Sequence, residues 1–242
     1  MVRIVISWKL NTSQVPQFVA KATRVLHRKI TKQPGVENIW LSLWDKATYE
    51  TADYVEKHML TLPYFRSRRQ LLKLALSQVK IDGLYLEFGC GWQAKSINFL
   101  AKHIPGEIHG FDSFEGLPDK WFGDFGKKSF SSQGKLPVVR DNVKLHAGWF
   151  DQTLPKFVEK YSAPVAFLHI DCDIYISAKT VFDCLGDHIQ SGTVIQFDEY
   201  FNYPGWQQHE YKAFQEFIAQ RQLTYQYLGY CHSGFSVAVI IL

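Results

Sequence analysis

From Asp82 to its end the chain alternates short β-rich runs with segments of helical spacing, and this alternation constrains the fold more than any single residue does. The runs "GLYLEFG", "GEIHGFD", "NVKLHAG", "APVAFLHID" and "GTVIQFDE" read as strands. Between them, "AKSINFLAKHI" sets Ile97, Leu100 and Ile104 on one stripe, and "ISAKTVFDCLGDHI" and "QQHEYKAFQEFIAQR" read as two further helices. The last two runs, "LTYQYLGY" and "GFSVAVIIL", lie close enough together to make an antiparallel pair. Strands alternating with helices predict an α/β fold, with a mostly parallel seven-stranded sheet, an antiparallel C-terminal strand and helices on both faces. Such sheets bind ligands outside the carboxyl ends of their strands, so the chemistry is expected there.

The strand ends read "EFGCGW", "FDS", "AGWF", "HIDCD" and "FDEY". In the fourth, Asp171 and Asp173 are two residues apart, so strand geometry sends both carboxylates to one side, where a divalent cation would offset their repulsion. The competing reading is that both aspartates cap the helix that follows. In "EFGCGW", Gly89 and Gly91 permit a tight turn and a close ligand approach, and Asp112 at the next strand end can accept both hydroxyls of a ribose. A dinucleotide site is not excluded by spacing, because Ala94 stands at the tolerant third glycine position. Glu87 counts against it, since a carboxylate there repels pyrophosphate and attracts a sulfonium or ammonium group.

With 242 residues, 46% of them hydrophobic, the chain can bury a sizeable core, and it divides into a helical, basic N-terminal region (1–81) and a main domain (82–242). A net charge of +4 without a dense Lys/Arg run makes nucleic acid an unexpected partner. No apolar run approaches the ~20 residues needed to cross a bilayer, so no membrane association is expected. Cys90, Cys172, Cys184 and Cys231 form no C-x-x-C pair, which fits a reducing, cytoplasmic location. Before Glu37 there is no acidic residue, while Arg3, Lys9, Lys21, Arg24, Arg28, Lys29 and Lys32 are present. That composition permits a transit peptide. It equally permits a basic amphipathic helix, "VPQFVAKATRVLHRKI", packing on the main domain or on a second copy as a homo-oligomer contact.

The stretches "GLYLEFGCGWQAKSINFLA", "HGFDSFEGLPDKW", "AGWFDQTLPKF", "FLHIDCDIYISAKTVFDCL" and "GTVIQFDEYFNYPGWQQHEYKAF" resemble, in order, the motifs of the macrocin O-methyltransferase family. These are class I S-adenosylmethionine-dependent enzymes that methylate sugar hydroxyls of natural products. The resemblance implies a Rossmann-like class I methyltransferase fold, and "HMLTLPYFRSRRQLL" is similar to the segment lying over the cofactor. It places Glu87, Gly89 and Gly91 along the methionine part of S-adenosylmethionine and Ser96 near its carboxylate. Asp112 and Ser113 fall to the ribose and adenine side, and Gly148 and Trp149 to the adenine edge. It makes Asp171, Asp198 and Glu199 ligands of Mg²⁺ or another divalent cation such as Mn²⁺ or Ca²⁺. Glu199 departs from the family's usual Asp-Asp pair. Asp173 becomes the general base, and the acceptor a small molecule with a sugar hydroxyl.

Two other functions stay open. A catechol-type O-methyltransferase would carry a lysine base where Ile174 stands, and a non-catalytic subunit of the same fold would account for Glu199 and the basic N-terminal arm. His169 shares the side of Asp171, yet a histidine within an apolar strand reads as a hydrogen-bonded core residue. His209 and Glu210, at a helix start, read as solvated. Residues 122–135, "FGDFGKKSFSSQGK", suit either a loop over the acceptor or a plain surface loop.

Overall fold

A computed structural model of the chain describes residues 38–242, so the basic amphipathic segment and the acid-free N-terminus lie outside the described residues. The compact unit Lys46–Leu242 carries the whole sheet. The helices are α1 (Ile39–His58), α2 (Arg68–Gln78), α3 (Lys95–His103), α4 (Phe150–Lys160), α5 (Tyr175–Leu185) and α6 (Glu210–Arg221). The strands are β1 (Tyr64–Phe65), β2 (Leu84–Phe88), β3 (Ile108–Asp112), β4 (Val143–Ala147), β5 (Val165–Ile170), β6 (Val194–Phe197), β7 (Tyr225–Cys231) and β8 (Val237–Ile241).

The sheet runs β1-β7-β8-β6-β5-β2-β3-β4. All seven expected strands form, and β8 is antiparallel to both β6 and β7. The short β1 adds an eighth strand, parallel to β7 at the edge, so the segment before Asp82 joins the sheet. Strands β5 and β6 are buried along their whole length, as expected of central strands covered on both faces. Phe111, Phe182, Phe197 and Phe214 pack α4, α5 and α6 on one face through contacts such as Phe111–Phe157 and Phe197–Phe214. Helices α2 and α3 cover the other with Leu71, Leu72, Ala75, Ile97 and Leu100. Each such fully buried Leu, Ile or Phe side chain contributes about 1.5–3 kcal/mol.

Helix α4 is absent from the strand and helix pattern read above, because Pro155 interrupts "FDQTLPKFVEK". Tertiary packing overrides that local signal: Leu154 and Phe157 are buried, and Phe157 meets Phe111 edge-on. Among the described residues, no helix is long and apolar enough to cross a membrane.

Candidate functional site

Strand order reverses between β2 and β5, and at that point the ladder continues one residue past each strand. Asp171 N donates to Phe88 O at 2.9 Å, Asp198 N to Ile170 O at 2.8 Å and Gly89 N to Phe111 O at 2.9 Å. These bonds fix the strand-end residues side by side at the crevice where α/β sheets bind ligands. Gly89, at φ +92°, is compelled here: a Cβ would lie 1.6 Å from the carbonyl oxygen of Asp171. A cavity of about 520 Å³ opens above it, within the range of small-molecule sites.

Asp171, Asp173 and Glu199 line this cavity, with one ligand oxygen from each lying within 4.8 Å of the others. Helix α5 begins at Tyr175 with Ile174 as its N-cap and no side-chain cap bond, so neither aspartate caps it. Asp173 instead sits at φ +65°, a left-handed conformation uncommon for a non-glycine residue. Asp198 is buried behind the wall, accepting from Ser236 Oγ at 2.9 Å through one oxygen and from Arg68 Nη1 through the other. Arg68 Nη1 also stands 3.6 Å from Asp171 Oδ2, and the pairing, with Asp198 foremost, raises the guanidinium's pKa.

One arginine does not balance this much acid. Burial, then the charge of Asp198, pushes Asp171 and Glu199 well above the usual carboxylate range. Burial, then Asp198 and Asp112, pushes Asp173 up to about 8. A carboxyl with its folded pKa above the unfolded value, ~3.9, contributes stability that is complete below the unfolded pKa and lost as pH rises through the folded one. In unliganded protein, the thermal midpoint of Asp173→Asn is therefore expected to match wild type near pH 4 and to exceed it increasingly up to pH 8. A flat difference across that window would contradict the shift.

Beneath the cluster, strand register aligns Glu87, His169 and Gln196 in one buried polar row, on the face covered by α2 and α3. Glu87 accepts from Ser96 Oγ at 2.9 Å and meets His169 Nδ1 at 3.0 Å. On the other side of the crevice, Asp112 accepts from Gly91 N at 2.8 Å and Phe114 N at 2.6 Å. Helix α3 starts after Ala94, itself left-handed at φ 45°, and turns its positive N-terminal end and Ser96 to the cavity.

Residues 86–200 match a family model described as a methyltransferase domain. The fold is a Rossmann-like methyltransferase fold. Among solved structures, the calicheamicin methyltransferase CalS11 is 18% identical with 99% of each chain covered and a TM-score of 0.60. The O-methyltransferase NovP is 18% identical, covering 71% of this chain and 79% of its own at a TM-score of 0.52. An O-methyltransferase from Bacillus cereus in complex with SAH is 19% identical, covering 91% and 97% at 0.50. No curated protein matches the chain.

Of the positions selected from sequence, this methyltransferase fold brings Gly89, Gly91, Ser96, Asp112, Ser113, Trp149, Asp171, Asp173 and Glu199 to one cavity wall. Glu87, Gly148 and Asp198 are not on it: Glu87 is fully buried and acts through Ser96 and His169, and Asp198 through Arg68. Glu210 is fully buried rather than solvated. It accepts from the backbone N–H groups of Cys172 (3.1 Å), Asp173 (3.0 Å) and Glu199 (3.2 Å), clamping the two acidic loops together. Residues 122–135 fold back on residues 114–117 through bonds such as Leu117 N to Ser129 O, and Phe130 joins Trp121 on the cavity wall. Arg68 escaped the sequence reading, although a signal was present. Arg68 and Arg69 open α2 with no acid in its first turn, against the helix dipole, which marks arginines placed for a partner elsewhere.

Proposed function

We propose that this chain is an S-adenosylmethionine-dependent O-methyltransferase acting on a hydroxyl of a small molecule, a sugar or sugar-bearing compound, with a divalent cation at the carboxylate cluster. The carrying observation is Asp173, held on left-handed backbone at the cavity wall, with a carboxylate oxygen within 4.8 Å of those of Asp171 and Glu199. The sequence motifs resembling the macrocin O-methyltransferases support the sugar acceptor, as does similarity of fold to CalS11, a TDP-rhamnose 3'-O-methyltransferase.

The residues present suit both cofactors. Asp112, with Ser113 and Trp149, would hold the nucleoside, and the α3 N-terminus with Ser96 the methionine carboxylate. Bound S-adenosylmethionine supplies an activated methyl group on sulfur. Buried atoms of His169 and Glu199 lack a hydrogen-bond partner among the described residues, and Asp171 lies in two groups of ligand atoms within 4.8 Å of one another, with His169 and Asp198 and with Asp173 and Glu199. These sets fit a hard divalent ion, for which the sequence resemblance names Asp171, Asp198 and Glu199 as ligands. Such an ion supplies stabilisation of the negative charge that develops on the acceptor oxygen. Asp173, on the cavity wall beside Asp171, takes the hydroxyl proton. Trp121 and Phe130 present aromatic surface to the acceptor and shield it from water.

Calorimetric titration with S-adenosylhomocysteine, with and without Mg²⁺, tests the cofactor. Binding is expected, and Asp112→Ala should weaken it at least tenfold, since each charge-assisted hydrogen bond is worth about 1.5–3 kcal/mol. Tight NAD binding with none of S-adenosylhomocysteine would overturn the proposal. Transfer of labelled methyl to a panel of nucleotide sugars, glycosides and catechols then separates the acceptor classes.

A further inference from the structure

The cation paired with the acidic cluster is one the chain supplies itself. Arg68 Nη1 hydrogen-bonds Asp198 Oδ2 and stands 3.6 Å from Asp171 Oδ2, the two acids facing each other across the β5–β6 strand ends. The guanidinium is not sealed in: the Arg68 side chain is 45% exposed and lies on the cavity wall, so it can swing outward without disturbing the core.

A second observation points to a different occupant. His169 is fully buried, and its Nε2 has no hydrogen-bond partner among the described residues. In the neutral tautomer that donates from Nδ1 to Glu87 Oε2 at 3.0 Å, Nε2 keeps its lone pair, and this nitrogen stands 4.0 Å from Asp198 Oδ1. Nitrogen and oxygen lone pairs opposed across that gap repel, but the spacing accommodates an ion lying roughly 2.0–2.2 Å from each. A hydrogen bond from the far ring nitrogen to a carboxylate is also how metal-binding histidines are oriented. His169, Asp171 and Asp198 each place a ligand atom within 4.8 Å of the others.

We propose that Arg68 is an internal counter-cation that a divalent ion must displace to enter, and that the entering ion takes His169 Nε2 as a ligand beside Asp171 and Asp198. This deepens the preceding reading, resting on it only for the presence of a divalent ion. Arg68 keeps Asp198 compensated when metal is absent. Once released on the cavity rim, it offers its charge to whatever anionic group enters.

The test is Mn²⁺ binding to the full chain, followed by electron paramagnetic resonance. Arg68→Gln removes the competitor and should bind Mn²⁺ at least tenfold more tightly than wild type; equal or weaker binding overturns the exchange. Pulsed measurements should show one histidine nitrogen coupled to Mn²⁺ and lost in His169→Phe, and no nitrogen coupling in wild type overturns the ligand assignment. Should Arg68→Gln fail to fold, phenylglyoxal labelling of wild type decides. Peptide mass spectrometry should show Arg68 labelled several-fold faster with saturating Mn²⁺, and unchanged or slower labelling refutes displacement. S-adenosylhomocysteine titration alongside separates the two failures. Normal binding without exchange removes this inference alone, whereas no binding by wild type removes the methyltransferase reading itself.

Discussion

Asparagine in place of Asp173 is expected to lower turnover about 10²–10⁴-fold, the usual contribution of general acid–base catalysis, while leaving the fold and the affinity for S-adenosylhomocysteine nearly unchanged. The substitution is clean for two structural reasons. Asparagine tolerates the left-handed backbone at φ +65°, where alanine would be strained. The cap of α5 is also untouched, because its N-cap is Ile174 and Asp173 makes no cap bond, so the ~1 kcal/mol typical of a lost cap does not enter. Removing a buried acid beside Asp198 and Asp112 should if anything raise the thermal midpoint above pH 4. Wild-type turnover by Asp173→Asn on the true acceptor, with metal saturating, would return Asp173 to a structural role.

The second large effect is expected at Glu210, and it separates positioning from chemistry. Glu210→Ala strands the N–H groups of Cys172, Asp173 and Glu199, and an unsatisfied buried donor costs about 1–3 kcal/mol. Losing Glu210 also removes a buried acid whose pKa is raised by burial and by Asp173, which offsets part of that cost. A net loss of roughly 3 kcal/mol would lower the thermal midpoint by about 6–12 °C for a chain of this size. Turnover should fall as well, since Asp173 and Glu199 lose the clamp that holds them together. Glu210→Gln keeps an oxygen for Cys172 and Asp173 and should recover most of the midpoint. If Glu210→Ala unfolds and turns over like wild type, the clamp has no role.

Much of the fold was legible because its signals are local. The apolar runs "VAFLHI" and "VIQF" read as strands from their β-rich composition and length, and the strand–helix alternation indicated the sheet class before any contact was known. The acid and glycine positions at strand ends were legible for the same reason: a parallel sheet places them together whatever its detailed packing. Helix α4 was hidden by Pro155 inside it, although Phe150, Leu154 and Phe157 share one face, and β1 was hidden by its length of two residues. Both exist because neighbours hold them, Phe111 packing on Phe157 and β7 pairing with Tyr64 and Phe65.

By itself, then, the sequence determined which residue types stand at the carboxyl ends of the strands, through the apolar β-rich runs and the turn chemistry that ends them. Only the tertiary structure decided what those residues touch. Asp198 turns to Arg68, 130 residues away, and Glu87 to His169, 82 residues away. Glu210 turns from solvent to three backbone donors. The physical reason is common to all three. A buried polar group must find a partner or incur its desolvation cost, and across long separations the partner is chosen by packing geometry, which leaves no mark on local composition.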